Sequence, residues 1–201
     1  MDIREAMALI EGAVLRDDGL PVGPLWADLG AGSGTFTFAL ARLLGPGGRV
    51  VAVDREEAAL AALRRGIRSR ADPPAPEAKG SGSAAEGAAG ITPALGDFRE
   101  MSAIDALRDT SLDGALFANA LHFDPDPGAT LTSAAARLAS GGRLVVVEYQ
   151  DRPPNPWVPH PLPVARLQEV AVEAGLAAPR VVGERPSSYG GVLYCAWLGP
   201  E

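Results

Sequence analysis

The sequence predicts an α/β fold, a doubly wound and mostly parallel sheet with helices on both faces. Three observations predict it. Strand-like apolar runs such as "LWADL", "RVVAVD" and "RLVVVEYQ" alternate with helical stretches along most of the chain. The run from Val50 to Val53 is apolar throughout, as suits a strand buried on both faces. Finally, "LGAGSG", residues 29–34, places three glycines between the first strand and the first helix that follows it. In an open parallel sheet, ligands bind beyond the carboxyl ends of the strands, where such a turn lies.

Taken in order, "DIREAMALIEGAV" sets Ile3, Ala6, Met7, Ile10 and Val14 at helical spacing, an amphipathic helix ended by "DDGLPVGP". "LWADL" is the first strand, "GTFTFALARLL" a helix stopped by "GPGG", "RVVAVD" the second strand and "REEAALAALRRGIRS" the next helix. Residues 71–92 are rich in Pro, Gly, Ala and Ser and lack aromatics, so they read as a disordered insertion within a single domain spanning 1–201. "TPALGD" and "SLDGALFANAL" give strands three and four, Thr130 to Leu138 a helix ended by "SGG", and "RLVVVEYQ" strand five. A proline-rich loop, "DRPPNPWVPHPLP", leads to a helix over Val164 to Ala174, stopped by Gly175. The closing strands "PRVVGE" and "GVLYCAWLG" are linked without a helix, so the last should run antiparallel.

Composition narrows the function classes. The 201 residues are 47% hydrophobic, with 18 basic against 25 acidic side chains and a formal charge of −7. That balance argues against a nucleic-acid partner. Arg64, Arg65, Arg68 and Arg70 read as the solvated face of one helix. One cysteine, Cys195, and two histidines, His122 and His160, exclude a disulfide and argue against a metal site, so no metal is expected. No apolar run approaches the length of a membrane span, and a cytoplasmic location is expected.

The glycines imply a ligand against the backbone. Gly30 permits a tight exit from the strand, Gly32 lets a ligand approach, and Gly34 lets helix and strand pack closely. The dinucleotide spacing G-x-G-x-x-G would need glycine where Thr35 stands, so a nicotinamide cofactor is disfavoured. Asp54 ends the second strand, 20 residues after Gly34, where a carboxylate can bridge two ribose hydroxyls.

In that order, "ADLGAGSG", "VVAVD", "LGDF" and "LDGALFANALHF" resemble the motifs of class I S-adenosylmethionine-dependent methyltransferases over residues 24–199. The resemblance implies a Rossmann-like sheet of seven strands with the last antiparallel, and S-adenosyl-L-methionine as cofactor. It implies that Asp28 and the turn Gly30, Ala31, Gly32, Ser33 and Gly34 hold the methionine portion, and that Asp54 takes the ribose. Arg55 would lie beside the adenine, Asp97 would accept its amino group, and Phe98 would pack near the ring. Asn119, Ala120 and His122 would line the methionine and acceptor side. Where amino-methylating relatives carry Asp/Asn-Pro-Pro-aromatic, this chain has Asn119-Ala120-Leu121-His122. "ANALHF" and "SGGRLVVVEY" are closer to small-molecule enzymes of the quinone-biosynthesis type, so a small-molecule methyl acceptor is expected. Should the acceptor be a hydroxyl, His122, His160 and Glu148 are candidate bases. Trp157 and His160 lie in a loop that is either a lid or a connector, and Cys195 reads as a small apolar strand residue. The alternative is an inactive S-adenosylmethionine-binding regulatory or partner subunit.

Overall fold

Successive side chains that point to opposite faces, nearly all of them buried in the central strands, build a sheet with two covered faces. A computed structural model describes residues 1–71 and 87–200 of the chain. Its elements are α1 (Ile3–Val14), β1 (Leu25–Leu29), α2 (Thr35–Leu44), β2 (Arg49–Asp54), α3 (Glu57–Ala71), β3 (Gly90–Leu95), β4 (Leu112–Ala118), α4 (Pro127–Ala135), β5 (Leu138–Tyr149), α5 (Val164–Glu173), β6 (Arg180–Pro186) and β7 (Val192–Leu198). The seven strands lie in the order β3-β2-β1-β4-β5-β7-β6. Among the described residues, β7 alone opposes its neighbours, pairing antiparallel with both β5 and β6.

Trp26, Val50, Leu116, Val145 and Cys195 pack on the side of α1 and α2, while their neighbours Ala27, Val51, Phe117, Val146 and Ala196 pack against α4 and α5. This is the period-two alternation of a strand buried on both faces. Helix α1 starts with a capping box: Asp2 Oδ1 accepts the Glu5 N–H at 2.9 Å and Glu5 Oε2 accepts the Asp2 N–H at 2.8 Å. The strand order reverses at β1, where β2 lies on one side and β4 on the other. The carboxyl ends of β1 and β4 therefore open a crevice.

Several boundaries differ from expectation: β4 stops at Ala118 and not Leu121, and α4 begins at Pro127 and not Thr130. Helix α4 ends at Ala135, and the "SGG" stretch belongs to β5. There the register with β4 jumps from Leu112↔Leu138 to Gly114↔Arg143, so the glycines form an irregularity in the strand instead of a helix stop. Strand β3 begins at Gly90, inside the expected insertion, because Gly90 to Thr92 pair with Arg49 to Val51. Residues 72–86 of that insertion lie outside the described residues. The proline-rich loop is anchored: Val158 and Leu162 are buried, and the Tyr194 hydroxyl donates to the Leu162 carbonyl at 2.6 Å. Among the described residues, no helix is long and apolar enough to cross a membrane.

Candidate functional site

The glycine turn divides the crevice into two clefts. One, of about 410 Å³, runs from Asp28 and the turn to Tyr149, Arg185 and Tyr189. The other, of about 370 Å³, is lined by Asp54, Arg55, Asp97, Phe98 and Phe123. Gly30, Gly32 and Asn119 belong to both walls.

Each glycine answers a separate constraint. Gly30 has φ +87° and a Cβ there would lie 2.6 Å from that of Ala120, so the turn and the end of β4 meet backbone to methyl. Gly32 has φ +55° and nothing within 4 Å of where its Cβ would be, as expected if its open face belongs to a ligand. Gly34 corrects the sequence reading. Its missing side chain makes room for Leu63 of α3 and Phe38 of α2, so the close packing is between helices and not between helix and strand.

Asp28 is 1% exposed at the floor of the first cleft. Its Oδ2 accepts the Thr37 hydroxyl at 2.5 Å, while Oδ1 is buried without a partner. Burial pushes its carboxyl up to about 7, against the lowering effect of the Thr37 bond, and the negative charge of Asp54 adds to the rise. Asn119 carries a second orphan: its Oδ1 is also buried and unpaired, on a residue held at φ +53°. Unpartnered buried oxygens are uncommon and a strained backbone is costly. Two such oxygens on one cleft fit a donor-rich cation such as an ammonium group.

Asp54 is already engaged on its backbone side. Oδ2 accepts the Gly32 N–H at 2.7 Å and Oδ1 the Glu56 N–H at 2.8 Å. A carboxylate offers about four lone-pair directions, so each oxygen retains one for a hydroxyl. Asp97 is gripped by Arg99, whose Nε donates to Oδ1 at 3.0 Å and whose Nη2 donates to Oδ2. That grip, together with the Arg99 N–H, holds the carboxyl below its usual range. Phe98 meets Phe117 edge to face at 5.7 Å and walls the second cleft. Arg55 is exposed, 3.6 Å from Glu56. Ala31 and Ser33 line the first cleft, and Ala120 lines the second.

His122 departs from the expectation that it lines the acceptor side: it is 3% exposed and contributes to neither cleft wall. Its Nδ1 lies 2.7 Å from Glu148 Oε2, and its N–H donates to Oε1 of the same carboxylate at 3.2 Å. Glu148 is fully buried on β5, so two of the three candidate bases form one pair. His160 joins them only through its backbone, its N–H donating to the His122 carbonyl at 3.0 Å. Its side chain is exposed, as is Trp157 at 78%. Cys195 is buried in β7, where burial pushes its thiol up to about 12.

Several site residues escaped the sequence reading. Thr37 is one helical turn beyond the glycine motif, and its side chain orients Asp28. Arg99 follows the aspartate it grips by two positions. Arg185 donates to Glu5 Oε1 at 2.7 Å across the mouth of the first cleft, a pair separated by 180 residues. Only the placement of Arg99 left any local signal.

A family model described as a methyltransferase domain matches residues 26–176. No curated protein matches the chain in sequence. Its fold is similar to that of magnesium protoporphyrin IX methyltransferase (ChlM) from Synechocystis PCC 6803, solved with bound SAM. The identity is 15%, covering 99% of this chain and 78% of that one, with a TM-score of 0.65. It is likewise similar to CrArsM, an arsenic (III) S-adenosylmethionine methyltransferase from Chlamydomonas reinhardtii, at 22% identity, 99% and 73% coverage and a TM-score of 0.66. A third similar structure is the CcbJ methyltransferase from Streptomyces caelestis, at 17% identity, 100% and 95% coverage and a TM-score of 0.65.

Proposed function

Because the chain belongs to the methyltransferase domain family, we propose that it transfers a methyl group from S-adenosylmethionine to a small-molecule acceptor. One observation carries this reading: the orphaned oxygens of Asp28 and Asn119 share a cleft wall with a glycine turn whose outer face is open. The cofactor, when bound, supplies a methyl on a positively charged sulfur, transferred in line to the acceptor's nucleophile. The chain's own residues bind and orient. Asp28 Oδ1 and Asn119 Oδ1 accept from the methionine ammonium, which satisfies both orphans and favours the ionised form of Asp28. Asp54 accepts the ribose hydroxyls on the lone pairs left by its two backbone bonds. Arg55, Asp97 and Phe98 enclose the adenine in the second cleft, with Arg99 fixing Asp97. Ala31, Ser33 and Ala120 form the close walls on either side of the turn.

Holding nucleophile, methyl and sulfur in line supplies much of the rate, since effective molarities of well-oriented groups are large. Excluding water helps further, because charge on the sulfur disappears in the transfer. A hydroxyl acceptor would need a base, and His122, buried against Glu148 and outside both cleft walls, is not placed to touch that hydroxyl. The acidic balance of the chain and its Asn119-Ala120-Leu121-His122 sequence both support a small molecule over a nucleic acid. Methyl transfer from labelled S-adenosylmethionine, screened against small phenols, carboxylates and amines, tests the reading. Incorporation that falls tenfold or more in Asp54→Ala supports it. S-adenosylmethionine binding with no incorporation into any acceptor class would leave a binding module and overturn the catalytic part.

A further inference from the structure

A third concavity, of about 560 Å³, lies on the outer side of the glycine turn. Three helices distant in sequence each bring an arginine to it: Arg4 from α1, Arg42 from the last turn of α2, and Arg70 from the last turn of α3. Among the described residues, none of the three is in an ion pair. Asp2 is the one carboxylate on this wall, and its Oδ1 caps α1 through the Glu5 N–H. Ser33 and Thr35 add hydroxyl donors. In a chain of formal charge −7, these three arginines make a local excess of positive charge that the one nearby carboxylate, Asp2, does not balance.

Arg70 is also held in place. Its guanidinium lies 4.1 Å over the Phe38 ring, and Nη1 donates to the Gly66 carbonyl at 3.0 Å. Gly66 stands inside a 15-residue helix, where glycine costs about 1 kcal/mol relative to alanine. A Cβ at Gly66 would lie 2.8 Å from Phe38 Cζ and 3.2 Å from Arg70 Nη1. The missing side chain therefore admits the ring and the guanidinium together. An arginine fixed in this way loses little freedom on binding, and its remaining N–H groups stay available.

We propose that this concavity binds the phosphate group of a small molecule, a phosphate monoester or a diphosphate. Three guanidinium groups and two hydroxyls match an anion with more than one charge and tetrahedrally arranged oxygens better than a single carboxylate. Met1, Ser33 and Thr35 line both this concavity and the first cleft. The phosphate is thus either a free anion or the far end of a molecule whose other end enters that cleft.

Calorimetry of the full chain with sodium pyrophosphate at low salt tests the proposal. Saturable one-to-one binding that weakens as salt rises is expected. The double variant Arg42→Gln/Arg70→Gln should bind at least tenfold more weakly, while Arg180→Gln, on β6 and outside this concavity, should bind like the parent chain. Phenyl phosphate separates the two sources. An organic ligand reaching the first cleft predicts that phenyl phosphate displaces pyrophosphate and binds more tightly with S-adenosylhomocysteine present. A free-anion site predicts displacement with no response to S-adenosylhomocysteine. Absence of saturable pyrophosphate binding, or undiminished affinity in a double variant that melts like the parent, overturns the proposal.

Discussion

Replacing Asp28 by asparagine should stabilise the protein at neutral and higher pH while weakening the cofactor site. The carboxyl is buried, and its value rises from an unfolded 3.8 to about 7 in the fold. Between those values the unfolded chain has released a proton that the native chain still holds. Stability therefore falls as pH rises, by about 1.4 kcal/mol per unit, and levels off above the native value. Asparagine has the same shape and no charge at any of these pH values. Measured by urea unfolding, the advantage of Asp28→Asn over the parent should widen by about 3 kcal/mol between pH 5 and pH 8. Using the difference between two pH values removes any constant effect of the amide on the Thr37 bond. In the same variant, loss of a charge-assisted acceptor should weaken S-adenosylmethionine binding by about 2 kcal/mol, more than tenfold. A stability difference that is flat with pH would refute the claim that Asp28 is a desolvated carboxyl. Full cofactor affinity would refute its role at the ammonium.

Four further outcomes follow from the same geometry. Gly34→Ala combines φ +98° with a Cβ driven into Leu63 and Phe38, so chemical unfolding should show a loss of about 2–4 kcal/mol. A Cβ at Gly32 meets nothing within 4 Å, so the stability loss in Gly32→Val should stay near the backbone strain of about 2 kcal/mol while cofactor affinity, read by calorimetry, collapses. Glu148→Ala leaves His122 Nδ1 and its backbone N–H without their buried partner, and should lower unfolding stability by about 1–3 kcal/mol. Cys195, buried and with its thiol raised to about 12, should resist iodoacetamide in the native protein at pH 8 and react once urea unfolds it, as mass spectrometry would register.

The central strands were legible because the middle of a strand buried on both faces must be apolar, and the runs at 25–27 and 50–53 are. The glycine turn was legible for a different reason, since close approach and positive φ both favour glycine between a strand and a helix. Boundaries were harder where glycine has more than one use. "SGG" at 140–142 is as compatible with a strand irregularity as with a helix stop, and the pairing of β5 with β4 decides between them. The orientation of Asp28 by Thr37, the pairing of His122 with Glu148 and the Glu5–Arg185 bridge join residues 9, 26 and 180 positions apart. Such contacts exist only once helices and strands have docked, so no local pattern encodes them. Gly34 shows the same limit: its need for space was readable, but the neighbour that fills the space, Leu63, lies on another helix.

The most direct test of the central claim is calorimetry of the full chain with S-adenosylmethionine and NAD side by side. The orphaned oxygens of Asp28 and Asn119 and the open face of Gly32 predict one saturable site for S-adenosylmethionine, weakened tenfold or more in Asp54→Ala, and no measurable heat with NAD. Saturable binding of NAD with none of S-adenosylmethionine would contradict it.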